Sequence, residues 1–200
     1  PGAYYVIAEV DLYDPETDQW TRLSSLPAFP DDADAGYGGR AFPGVSLLEN
    51  DEVLVFGGLA NRLEHGGKNG QVTFNYGGPR VPRRSAIVLN PMTNEWRRVG
   101  DLNFRRSGPL AAQWPYENGI FAFAIGGPEL NSLPAPSEVY DASTETWSLL
   151  PTEPETPTEE DTIRMGTGLT DGTVLTWSIP LDGIEMRPVK RLHPAGLQDE

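Results

Sequence analysis

Tyr13-Asp14-Pro15-Glu16-Thr17-Asp18-Gln19-Trp20, Leu89-Asn90-Pro91-Met92-Thr93-Asn94-Glu95-Trp96 and Tyr140-Asp141-Ala142-Ser143-Thr144-Glu145-Thr146-Trp147 are three copies of one pattern. Each sets an apolar residue, then Asp or Asn, then Thr three residues on and Trp three beyond that. A repeat at this level points to an array of similar units rather than to one irregular domain. The spacing suits a hairpin. Asp, Asn and Thr side chains bond nearby backbone amides, Pro presets a turn, and the Trp opens the next strand to pack against a neighbouring sheet. All three repeat tryptophans are therefore expected in the core.

Working outward, apolar runs end in paired glycines at Val53-Leu54-Val55-Phe56-Gly57-Gly58 and Phe121-Ala122-Phe123-Ala124-Ile125-Gly126-Gly127. Glycine pairs let backbones approach closely where sheets crowd. Further strand-like runs are Tyr4 to Val10, Val45 to Leu48, Ala86 to Leu89, Ile120 to Ile125 and Val174 to Ile179. Gly (22) and Pro (19) make up about a fifth of the chain and are spread evenly, which disfavours long helices. No amphipathic helix stands out.

The 200 residues carry 29 acidic and 15 basic side chains, a net charge of -14. Such a surface repels phosphate backbones, so nucleic acid and anionic membranes are excluded as general partners and any anion site must be local. With 38% hydrophobic residues the chain can bury a core. It has no cysteine, so disulfides, thiolate metal sites and cysteine nucleophiles are excluded. No apolar stretch approaches the roughly 20 residues of a membrane span, and Pro1 to Val10 has no basic, then apolar, leader pattern.

The hairpin motif and the Gly-Gly strands together resemble kelch repeats, in which a strand ending in Gly-Gly is followed by a variable loop and then Tyr-Asp-x-x-Thr-x-x-Trp. Pro43 to Val55 and Gly168 to Leu175 are also similar to the first two strands of galactose-oxidase-type blades. The resemblance covers nearly the whole chain, with Ala142 in place of Pro and Trp177-Ser178 where a further Gly-Gly is expected. It implies an all-β fold, a kelch-type β-propeller or partial propeller of four-stranded antiparallel blades. It divides the chain into an outer hairpin (9–23), two blades (37–99 and 104–150) and a partial blade (162–190). These make too few blades for an ordinary closed ring, so either the chain is part of a longer propeller or a second copy or another chain completes it. Otherwise exposed strand edges remain.

Loops that fall on one face of such an array hold the candidate site. Segment 59–84 is far longer than its counterpart at 128–136, and carries Arg62, Lys68, Arg80, Arg83 and Arg84 against a single acid, Glu64. Long loops on a rigid scaffold are frequent binding elements. Arg40, Arg106 and Arg164 each precede an expected innermost strand. They admit two readings: a ring of guanidinium donors for a carboxylate, or internal cross-links to carbonyls of adjacent blades.

Asp31-Asp32-Ala33-Asp34-Ala35-Gly36 has the look of a calcium loop, but the twelfth position from Asp32 is Pro43 rather than a bidentate acid. No metal site is expected. Pro151 to Asp161 holds five acids and reads as a stiff, solvated link.

Catalytic motifs are missing. The two histidines, His65 and His193, stand outside any zinc motif, and no Gly-x-Ser-x-Gly elbow occurs. A copper-radical site of the galactose-oxidase kind needs a cysteine that this chain lacks.

The expectation is a binding module without cofactor that presents arginines to an acidic peptide or an anionic glycan. Two alternatives stand beside it: a small-sugar isomerase or lyase acting on sialic-acid-like substrates, and a purely structural propeller segment of a larger assembly. The resemblance leans toward a secreted or cell-envelope protein. Trp114 and Trp177 remain candidates for sugar stacking.

Overall fold

A computed structural model describes residues 8–28, 39–61, 64–65, 72–73, 80–116, 119–125, 136–149, 162–168, 174–180 and 190–192. Among these the chain is all-β, with no helix and only antiparallel pairing. None of the described segments is a helix long and apolar enough to cross a membrane. The acidic stretches Asp31 to Gly36 and Pro151 to Asp161 lie outside the described residues.

Strands β1 (Asp11–Asp14) and β2 (Gln19–Arg22) form the first hairpin. The first sheet contains β3 (Gly44–Leu47) and β4 (Val53–Phe56). The insertion that follows holds β5 (Leu59–Asn61), β6 (Glu64–His65), β7 (Val72–Thr73) and β8 (Arg80–Pro82). β9 (Ala86–Asn90) and β10 (Glu95–Arg98) then complete that sheet in the order β10-β9-β4-β3. A second four-stranded sheet runs β11 (Leu110–Tyr116), β12 (Gly119–Ile125), β13 (Glu138–Asp141), β14 (Thr146–Leu149). Last come β15 (Thr162–Gly168), β16 (Val174–Pro180) and β17 (Lys190–Leu192), a three-stranded sheet. Strand β11 lies beside both β3 and β15, so the first strands of successive sheets are neighbours.

The repeated motif builds the same turn each time. Asp14 accepts the Glu16 amide at 2.9 Å and the Thr17 hydroxyl at 2.7 Å. Asn90 accepts the amides of Met92 and Thr93, and Asp141 accepts the amide and hydroxyl of Ser143. These donors hold both aspartates below the ordinary carboxylate range, with the Thr17 hydroxyl the main cause at Asp14 and the Ser143 hydroxyl at Asp141. The chain then reverses through one left-handed residue, Asp18 (φ 55°), Asn94 (φ 57°) or Glu145 (φ 55°). Asp and Asn tolerate that conformation better than most residues.

Two of the three hairpins are covered. Tyr140 and Trp147 lie in one buried cluster with Leu48, Leu54, Phe56, Ala86, Val88, Val99 and Leu102, so the second sheet packs against the first. The Trp147 ring meets Phe56 edge-on at 4.9 Å. Gly44 makes room for Phe56, since a Cβ there would lie 2.4 Å from its ring. Trp96 is half-buried and donates its indole N–H to the Ser24 carbonyl at 3.0 Å. The first hairpin departs from expectation: Trp20 is 69% exposed, and every residue of β1 and β2 is open to solvent. The motif makes the turn and presents the ring, but burial needs a sheet face in front of it, and no described residue supplies one.

Of the expected strand Tyr4 to Val10, residues 4–7 lie outside the described residues, and 8–10 precede β1, which begins at Asp11. Pairing still runs on past β1 through the Leu23 amide to the Val10 carbonyl and the Leu26 amide to the Ala8 carbonyl.

Candidate functional site

The segment at 59–84 is not a simple loop. Leu59 to Asn61 pairs with Arg80 to Pro82, and Glu64-His65 pairs with Val72-Thr73, so the described parts of the insertion form two short antiparallel pairs. Its base is fastened by the Ala41–Leu59 bridge, with reciprocal amide-to-carbonyl bonds of 2.8 and 2.7 Å. Arg62 and Lys68 lie outside the described residues. Arg80 is placed by its backbone opposite Asn61.

The insertion stands on a junction of several chain segments around the first Gly-Gly. Gly57 (φ 62°) receives Arg106 across a gap in which a Cβ would sit 3.1 Å from the Arg106 carbonyl. Gly58 (φ 89°) leaves only 2.9 Å between such an atom and the Ala41 carbonyl. Any side chain at Gly58 would collide with backbone, so glycine is what allows the segments to meet. The Gly58 amide donates to Arg106, the Arg83 amide to Gly58 and the Arg106 amide to Arg83, each at 2.8–2.9 Å.

The repeated arginines are set into this junction. Arg40 is 7% exposed and donates to the carbonyls of Gly57 (3.1 Å) and Ser85 (2.6 Å) and to the Ser85 hydroxyl (3.0 Å). Arg106 is fully buried and donates to the Pro136 carbonyl and to the equally buried Glu138 carboxylate at 2.7 Å. Ser85 and Pro136 hold matching places, each the fourth residue before the apolar residue that opens the repeat, Leu89 or Tyr140. The two arginines thus repeat one task, tying the entry to the first strand of a four-stranded sheet to the approach to that sheet's third strand. Arg83 is also buried, at 2% exposure. Arg164 lies in β15 opposite Ser178.

Glu138 completes the cluster. Its second oxygen accepts the Asn103 amide at 2.7 Å and the Asn103 side chain at 2.8 Å, and the Phe104 amide reaches the first. A buried ion pair is tolerable only with its remaining lone pairs satisfied in this way. Sequence reasoning missed Glu138, although there was a signal: an acid occupies a core-facing strand position where the first sheet has Ile87.

Cations open to solvent lie at the rim. The Arg84 side chain is 52% exposed and stands 3.5 Å from the Asp101 carboxylate. Partly buried Arg105 donates to the Pro82 carbonyl at 3.4 Å. The site therefore has two arginines, Arg40 and Arg106, turned onto the protein's own acceptors, with Arg83 buried beside them, and an outer pair, Arg84 and Arg105, that is more open. Trp114 and Trp177 are placed only by their strands, opposite Phe121 and Met165. His193 lies outside the described residues.

Neither the family models nor the curated proteins include a match to this chain.

Proposed function

We propose that this chain is a kelch-type propeller segment that works as a binding module, contacting an acidic peptide or anionic glycan through the face that carries the 59–84 insertion. The observation that supports this most is the insertion itself: segment 59–84 carries five basic side chains, of which Arg83 is buried in the junction, against one acid in a chain of net charge -14, and its base is fastened to the glycine and arginine junction. A local positive element on an acidic body focuses anions there. The neighbouring first strands β3, β11 and β15, and two four-stranded meanders of matching order, are what blades arranged about an axis would give.

Within that face, Arg80 and Arg84 are assigned the contact, and Arg62 and Arg164 are assigned to it as well. Arg40, Arg83 and Arg106 hold the platform. The test is a binding titration with poly-L-glutamate and with a sialylated oligosaccharide. Arg80→Ala/Arg84→Ala is expected to weaken binding of the recognised probe at least about tenfold, or about 1.4 kcal/mol, with melting temperature unchanged. Failure of both probes to bind, or equal affinity of the double variant, would sink the assignment. Arg106→Ala serves as the contrast, because it strands the buried Glu138 carboxylate and should cost about 3–5 kcal/mol of stability.

A further inference from the structure

Each covered hairpin accepts hydrogen bonds at its left-handed turn residue from the segment leaving the preceding unit, on the side chain and carbonyl of Asn94 in one and on the carbonyl of Glu145 in the other. After β2, Ser24 donates its amide to the Asn94 side chain (2.7 Å) and its hydroxyl to the Asn94 carbonyl (2.9 Å). After β10, the Gly100 amide donates to the Glu145 carbonyl at 3.0 Å. Asn94 and Glu145 are the left-handed residues of their turns. Ser24 and Gly100 both stand four residues after a repeat Trp, between an apolar residue (Leu23, Val99) and a Leu two positions on (Leu26, Leu102). Val99 and Leu102 enter the core with Trp147, while the Ser24 carbonyl takes the indole N–H of Trp96. One interface is used twice.

The first hairpin has the same turn and ring pair, and no described residue covers it. Asp18 turns through the same left-handed conformation. Tyr13 and Trp20 stack at 4.9 Å and 39°, nearly as Tyr140 and Trp147 do at 5.1 Å and 49°. Yet Tyr13 is 41% exposed and Tyr140 fully buried, and Leu12 adds a third open apolar residue at 45%. An organised, exposed aromatic pair of this kind marks a contact surface.

We infer that the β1–β2 hairpin is a docking site for the outgoing link of another repeat unit, a segment reading apolar residue, Gly or Ser, any residue, Leu. Its apolar residues cover Tyr13 and Trp20, and its Gly or Ser donates to the Asp18 carbonyl. The interface is continuous in design with the two already formed. A second copy of this chain does not supply it: the links at 23–26 and 99–102 are engaged, and the third candidate places Pro151, which has no amide hydrogen, and Glu153 at the deciding positions.

The test is an NMR titration of the labelled full chain with a synthetic peptide of residues 96–104. Trp20→Phe identifies the Trp20 indole signal. That signal and the Asp18 and Gln19 amides are expected to move saturably in the millimolar range that a few contacts support. The Asn94 and Glu145 turns, already occupied, should stay still. The same peptide with Val99→Asp and Leu102→Asp should have no effect. Absence of movement, or equal movement with the altered peptide, overturns the proposal. Movement of the Trp20 signal with protein concentration alone would also overturn it, by showing that a second copy covers the hairpin.

Discussion

The hairpins β1–β2 and β13–β14 share the turn motif and a Tyr–Trp pair of similar spacing and tilt, and differ most in what lies against them. In one, Trp147 is 8% exposed and touches Phe56; in the other, Trp20 is 69% exposed. The motif is thus a local instruction for a capped turn and a ring pair, while the energy is released only when a sheet face arrives. The largest effect that sharpens this contrast comes from truncating the two rings. Trp147→Ala should cost about 3–5 kcal/mol, the usual loss for a buried aromatic. Trp20→Ala should stay within about 0.5 kcal/mol, as an exposed position does. Urea unfolding of both variants decides it, and similar losses would mean that Trp20 is packed in solution.

The turn caps offer a smaller version of the same contrast. Asp141→Ala removes two hydrogen bonds to Ser143 and should cost about 1 kcal/mol, a fall of about 2–4 °C in melting temperature for a chain of this size. Asp14→Ala removes the equivalent pair at Glu16 and Thr17. No described residue packs on that hairpin's rings, so the melting temperature should hold while amide exchange at Glu16 quickens. An equal fall in both variants would show that the first hairpin unfolds with the rest.

Much of this architecture was legible in the repeat. Asp or Asn and Thr at fixed offsets located three hairpins, and apolar runs ending in Gly-Gly located β4 and β12, because turn chemistry and strand patterning are local properties. Strand β3 was harder: its alternation is reversed, with Gly44 and Ser46 buried and Val45 and Leu47 about half exposed. Gly44 is inside because Phe56 occupies the space a side chain would need, which no local pattern reveals. The arginine repeat was visible, but its orientation was not. Whether Arg106 faces solvent or Glu138 depends on a partner 32 residues away. The openness of Trp20 is of the same kind, since burial belongs to the neighbour and not to the motif.

The smallest effect concerns how the covered turn is tethered. Arg97 bonds Glu52 at 2.7 Å and Glu145 at 2.8 Å, joining the first sheet to the turn of the third repeat hairpin, whereas Arg22 of the first hairpin pairs, among the described residues, with its neighbours Glu9 and Asp11. Burial pushes the Glu52 carboxyl up, but hydrogen bonds from Arg97 and Asn50, with the attraction of Arg97, outweigh it and leave it below the ordinary value. A carboxyl lowered in the folded chain stabilises fully above its unfolded range and loses that contribution as pH falls through the folded value. Glu52→Gln should therefore be less stable than the parent at neutral pH and converge with it in acid. The Arg97 side chain is 41% exposed, so solvent screening keeps the neutral-pH difference to about 1 kcal/mol or less. Urea midpoints of both chains across the acid range measure it. A gap that stays constant with pH would mean that Glu52 acts through its shape and hydrogen bonds, and that the charge adds nothing to the covered hairpin.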